Sequence, residues 1–244
     1  MAAPTLQQFA KANNSSGGSS VDCSFGTTPA SNTLIVVFAI AGHTDLTTDP
    51  GTISCSDNHG NTYTSRASSF ETAVGIRCTA FTAPAVTASG TFTVTASTVS
   101  GTHRWSIAVC EVRGYEGTGP VEKSGGATTG CYGPATEPWS PLNFTATSAD
   151  EQLFLGALGY WHGYNRSFTS GSGWTYEDGY NGNNAYPGLA LISKSVTSTG
   201  TYDPDWSKTV GSAVGCCAAA VSIVAGADGS GGSSTKPAFY YAQL

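Results

Sequence analysis

Charge is what this chain has least of. Only 11% of its 244 residues are Asp, Glu, Lys or Arg, against a usual share of about 25%. The 10 Lys and Arg are scattered singly and the net charge is −6. Neutralising a phosphate backbone takes a concentrated basic face, so no nucleic-acid partner is expected. The chain also lacks an apolar run of about 18 residues, which excludes a helical membrane span. Its opening, MAAPTLQQFAKANN, has neither the basic start nor the apolar stretch of a secretory signal. Synthesis in the cytoplasm without export by a leader is therefore expected.

Catalytic patterns are missing too. HExxH, GxSxG and GxxxxGK[ST] do not occur, so zinc-hydrolase, nucleophile-elbow and phosphate-loop chemistry have no support. His43, His59, His103 and His162 stand isolated along the chain. Glu111 is the one carboxylate on an apparently central strand, with Glu177 or Asp178 as a distant partner for acid–base cleavage of a polysaccharide. Pairing of Glu111 with Arg113 on an exposed face explains it more simply. Asp57, Asn58 and Asn61 form an oxygen-rich turn, and Asp203 and Asp205 another. Calcium takes such loops, but Asx-turn chemistry accounts for the same residues. No enzyme activity, cofactor or metal is expected.

The 7 cysteines are an odd number, so they cannot all pair within one chain. Cys78, Cys110, Cys216 and Cys217 lie in apolar strand patterns and read as buried thiols. Cys23 and Cys131 lie nearer loops, and whether they form a disulfide stays open. With no CxxC, and with adjacent Cys216 and Cys217 pointing to opposite faces of a strand, zinc is not expected.

Hydrophobic residues make up 39% of the chain and fall into strand-length runs. Gly, Asn and Asp turns punctuate them every ten or so residues, the spacing of a β-sandwich or barrel. TFTVTAST at 91–98 alternates cleanly, with Phe92, Val94 and Ala96 on one face. Leu34–Ala41 is apolar on both faces, and 105–112 nearly so. Such strands need a second cover, from a loop or from another subunit.

The chain also says the same thing twice. Gly60-Asn61-Thr62-Tyr63 returns as Gly173-Trp174-Thr175-Tyr176, and Gly90-Thr91-Phe92 as Gly200-Thr201-Tyr202. The apolar run opening at Leu34 returns at Leu153, and the one ending at Gly114 returns ending at Gly226. Landmarks recurring in the same order argue for two copies of one strand plan. The expected fold is all-β: a single antiparallel, jelly-roll-like sandwich over 21–226, with repeat halves at about 21–114 and 150–226 that both contribute strands to two packed sheets. Residues 115–149 read as a long connection and 1–20 as a flexible arm. Residues 227–244 read as a Gly/Ser tether ending in a docking peptide with Phe239, Tyr240 and Tyr241 as its anchors.

Several of these landmarks carry a resemblance. Asn32–Val37, Asp57–Tyr63, Gly90–Thr95 and Ala108–Gly114 resemble, in order, the strands and turns of a jelly-roll-like β-sandwich family of bacteriophage virion proteins and bacterial surface proteins. The resemblance covers roughly 21–226 and supplies no catalytic residues. It implies a non-enzymatic structural protein, an outer capsid decoration or tail-associated component of a virion. Its expected partners are copies of itself and other virion proteins.

A different function class rests on the aromatic stretch 160–186. Trp161, Tyr164, Trp174, Tyr176, Tyr180 and Tyr186 are interleaved there with Asn, Gly, His and Asp. Aromatic faces stack on sugars and amides bind hydroxyls. The alternative is therefore a carbohydrate-binding module, an extracellular or cell-surface adhesin, with a host-surface glycan as partner.

Overall fold

The computed structural model describes residues 3–43, 45, 47–117, 119–131, 138–139, 144–146, 151–161, 168–181, 186–208 and 214–226. The first half holds β1 (Thr5–Gly18), β2 (Ser20–Ser24), β3 (Leu34–His43), β4 (Ile53–Asp57), β5 (Thr64–Glu71), β6 (Ile76–Ala83), β7 (Thr93–Thr98) and β8 (His103–Arg113). The second holds β9 (Val121–Cys131), β10 (Pro138–Trp139), β11 (Phe144–Ala146), β12 (Gln152–Trp161) and β13 (Phe168–Ser170). It continues with β14 (Thr175–Tyr180), β15 (Gly188–Val196), β16 (Gly200–Tyr202), β17 (Trp206–Lys208) and β18 (Val214–Val224). No helix occurs among the described residues.

Each half builds its own sheets. The first has a five-stranded sheet in the order β1-β8-β3-β6-β5 and a three-stranded sheet β2-β7-β4. The second has β9-β18-β12-β15-β14, the same order strand for strand, with β10-β17-β13 and a two-stranded β11-β16. The pairings β1·β8, β2·β7 and β3·β6 are nested one inside another, all antiparallel. This is a long hairpin rolled into two layers, the jelly-roll plan. β5 departs from it by joining β6 rather than β4.

The all-β antiparallel sandwich built from two repeated halves is as the sequence indicates, but three details differ. Residues 5–18, expected as a flexible arm, are strand β1, in register with β8 from Thr5↔Arg113 to Gly18↔His103. Their polar run escaped the alternation test because β1 is an edge strand with no fully buried side chain, and Ser15 to Gly17 bulge out of the ladder. Residues 121–131, expected as connection, are β9, the matching edge strand paired to β18. The second copy thus begins near 121 rather than 150. Finally, the copies do not share sheets: no described sheet mixes strands from both.

The doubly apolar strands show what joins the copies. On β3, Ile35, Val37, Ala39 and Ala41 face the small sheet of their own half. Leu34, Val36, Phe38 and Ile40 face the other way, onto Leu153, Leu155 and Ala157 of β12 and Ala219, Val221 and Ile223 of β18. The two five-stranded sheets therefore lie face to face, and each copy supplies the second cover that the other's central strands require. The four layers run small sheet, large sheet, large sheet, outer strands. Hydrogen bonds cross the seam from Ser69 Oγ to Ala218 O at 2.7 Å, Ser106 Oγ to Pro187 O at 2.6 Å and Ser124 Oγ to Arg66 O at 2.8 Å. Lys11 on β1 crosses it as well, pairing with Asp178 at 2.6 Å and donating to Gly179 O at 2.7 Å.

The repeated turn glycines have a common cause. Gly60 and Gly173 take φ of 77° and 76°, a left-handed backbone that favours glycine. The echo read from the sequence is at this point a turn requirement met twice.

Candidate functional site

The aromatic stretch does not form one surface. β12 alternates, so Tyr160 faces the outer strands and Trp161 the seam between copies. Trp161 is 3% exposed, and its ring fills the notch left by Gly42, where a Cβ would come within 2.4 Å of it. Trp174 is 8% exposed and Tyr176 37%. Tyr180 and Tyr186 meet at 5.8 Å, with Lys11 Nζ 4.7 Å over the Tyr180 ring. Tyr164, His162, and Phe239, Tyr240 and Tyr241 lie outside the described residues. Of the expected set, the structure therefore brings together Tyr180 and Tyr186 and buries Trp161 and Trp174.

Glu111 is not on an exposed face. It is 1% exposed and faces the interior of the first half. Its Oε2 accepts from Gln8 Nε2 at 2.7 Å, and its Oε1 accepts from Ala30 N at 3.1 Å and from Arg113 at 2.9 and 3.0 Å. The Arg113 pairing is as read, but the carboxylate ties β1, the β2–β3 loop and β8 together. Glu177 occupies the bulge in β14 and accepts from Ser193 Oγ. Asp178 holds Lys11.

The Asp57 turn is likewise committed to the fold. Asp57 Oδ1 accepts from the amides of His59 and Asn61, and Oδ2 from Asn61 Nδ2 and Tyr63 OH, at 2.8 to 3.1 Å. Asn58 and Asn61 bridge to the backbone at Thr93 and Thr87. Burial, and then the Asp57 charge, push the Tyr63 phenol up. The DNHGNTY run is thus a turn joining β4 to β5, with the Asp57, Asn58 and Asn61 side chains spent on the chain's own groups.

Two histidines isolated in sequence meet in space. His43 and His103 are register partners on β3 and β8, their rings 5.4 Å apart. No group of three metal-capable side chains converges among the described residues. Cys23, Cys55, Cys78, Cys110 and Cys217 are free thiols, so Cys23 makes no bridge to Cys131. Burial pushes the Cys23 thiol up to about 12, far from thiolate reactivity. Cys216, read as a buried thiol, is instead disulfide-bonded.

A cleft of about 320 Å³ opens on the outer side of the second copy. Its aromatic lining is Trp174 and Tyr202, and both rings pack on the buried Phe154, at 6.2 Å and 5.4 Å between centroids. Lys194, the register neighbour of Phe154, extends its ammonium over both rings, 5.6 Å from Trp174 and 5.4 Å from Tyr202. Asp203, Asp205, Ser172 and Thr201 complete the lining. The turn from Gly171 to Trp174 closes one end, through Trp174 N to Gly171 O at 3.3 Å and Gly171 N to Asp205 O at 2.8 Å. Of these groups the sequence singled out Trp174 as an aromatic and the two aspartates as turn residues. Lys194 went unmarked and Tyr202 was noted only as a repeat landmark, because they meet Trp174 only through the pairing of β14 with β15 and the fold-back of β16.

Asp205 is set apart electrostatically. Burial, and then the neighbouring Asp203 charge, hold its carboxyl above the usual range, and its Oδ1 is buried without a hydrogen-bond donor. An acid whose folded pKa is raised destabilises the fold once it ionises. Its penalty is absent below the unfolded pKa and is fully present above the folded one. Asp205→Asn is therefore expected to raise the melting temperature at about pH 7, with the gain vanishing towards about pH 3. Melts of both proteins across that range check this.

No family model matches the chain, and no curated protein or solved structure matches it either.

Proposed function

We propose that this chain is a non-enzymatic structural protein of a bacteriophage virion, an outer capsid decoration or tail-associated component. It assembles through its sandwich and terminal segments with copies of itself and with other virion proteins. The observation that carries this reading is the back-to-back sealing of two jelly-roll copies along their large sheets, which turns the remaining small-sheet faces outward.

The outward face of β2-β7-β4 is rich in hydroxyls, several of them paired across the strands. Ser24 meets Thr93 at 2.7 Å, Ser54 meets Ser97 at 2.9 Å, and Thr95 donates to Asp22 at 2.7 Å. A face with few charges and with several of its polar groups satisfied internally loses little on desolvation, which suits lasting contact with a neighbouring subunit. The fold fits the virion-protein resemblance of the Asn32–Val37 and Asp57–Tyr63 segments.

Light scattering on the full chain and on a chain ending at Gly226 tests the assembly claim. A defined oligomer that dissociates on truncation is the expected result. A monomer in both cases, with no association with phage particles, would count decisively against the reading.

A further inference from the structure

The cleft over Trp174 has chemistry that assembly does not use. We propose that it is a binding site for a neutral sugar, the terminal hexose of a glycan, stacked on Tyr202 and held by Lys194 and Asp203. The proposal stands apart from the virion reading, and neither requires the other.

The cleft's volume, about 320 Å³, falls at the small end of ligand sites, which span roughly 300–1,000 Å³. Trp174 and Tyr202 line it, and Tyr202 is the ring left half-buried. A pyranose offers one C–H-rich face to such a ring and a rim of hydroxyls to polar groups.

The polar groups settle which class of ligand fits. Among the described residues the Lys194 ammonium makes its two ring contacts and no hydrogen bond or ion pair, so its N–H donors are unspent. Asp203 is exposed and lines the same cleft. An anionic ligand would be repelled by two carboxylates, and a cationic one would compete with Lys194 for the same ring faces. A neutral polyol is repelled by neither. Each of its hydroxyls both donates and accepts, matching a lysine donor set beside carboxylate acceptors.

The test is an array displaying glycans that end in neutral hexoses, in sialic or uronic acids, and in free amino sugars, probed with the labelled full chain. The strongest neutral binder is then titrated in solution by tryptophan fluorescence. Binding is expected on the neutral set. Lys194→Met and Asp203→Asn should each weaken it about tenfold or more, the loss of one charge-assisted hydrogen bond, while each variant still melts cooperatively as a folded protein. Tyr202→Ala should abolish it, but this ring also packs on Phe154, so the two polar variants carry the decision. Silence across the array would overturn the proposal. So would binding confined to the acidic or amino-sugar glycans, or neutral binding that Lys194→Met and Asp203→Asn leave intact.

Discussion

Replacing Trp161 by Ala is expected to destabilise the protein by about 4 kcal/mol, within the usual span for deleting a buried Trp. In a chain of this size that lowers the melting temperature by roughly 10 °C. Trp161 belongs to the second copy, yet its ring fills the notch at Gly42 of the first, with the Arg104 guanidinium 5.8 Å over it. The residue is thus a peg between the sheets, and its loss opens a cavity in the surface that holds the copies together. Gly42→Ala should cost about 1–3 kcal/mol by the opposite route, since its Cβ would overlap the ring. In the Trp161→Ala background the same methyl enters empty space, so the second cost should disappear. A double-mutant cycle by urea denaturation measures that coupling. Additive effects, or a near-wild-type Trp161→Ala protein, would mean that this contact does not join the copies.

Glu111→Ala is expected to cost about 3 kcal/mol, the low end of breaking a buried ion pair, because the Arg113 side chain it releases is 48% exposed and can rehydrate. The loss falls on the donors left behind: Gln8 on β1, and the Ala30 amide in the β2–β3 loop. Glu111→Gln keeps an acceptor but sets an amide donor among groups that are all donors. It should fall between wild type and Ala, at about 1.5 kcal/mol, because charge-assisted hydrogen bonds are roughly twice as strong as neutral ones. Hydrogen exchange should show β1 losing protection first, since it is an edge strand held to the sheet only through β8. Equal stability in all three proteins would remove the carboxylate's structural role.

Legibility followed burial symmetry. β7 was readable because one face is wet and one dry, which writes a period of two into Thr93–Thr98. β3 and β8 were readable as strands with both faces covered, but not as to what covers them. A run such as LIVVFAIAG records that its surroundings are apolar and not which chain segment provides them. β1 and β9 were not readable at all. Edge strands of Ser, Gly, Asn and Thr are held by backbone hydrogen bonds, which leave little trace in side-chain pattern.

The candidate site divides in the same way. Asp57, Asn58 and Asn61 declared their turn because Asx chemistry acts within a few residues. Trp161 suggested a binding face by its type, and packing made it a peg. Lys194, Tyr202, Asp203 and Trp174 share a cleft although they come from separate segments of the second copy.

By itself, then, the sequence determined the class of fold, the duplication and the turns, because these rest on local pattern and on backbone chemistry repeated at fixed places. Only the tertiary structure decided that the two copies seal against each other, that residues 5–18 and 121–131 are strands, and which aromatics remain in reach of a ligand. Those outcomes depend on contacts between segments far apart in the chain, and a side chain's identity does not encode its distant partner.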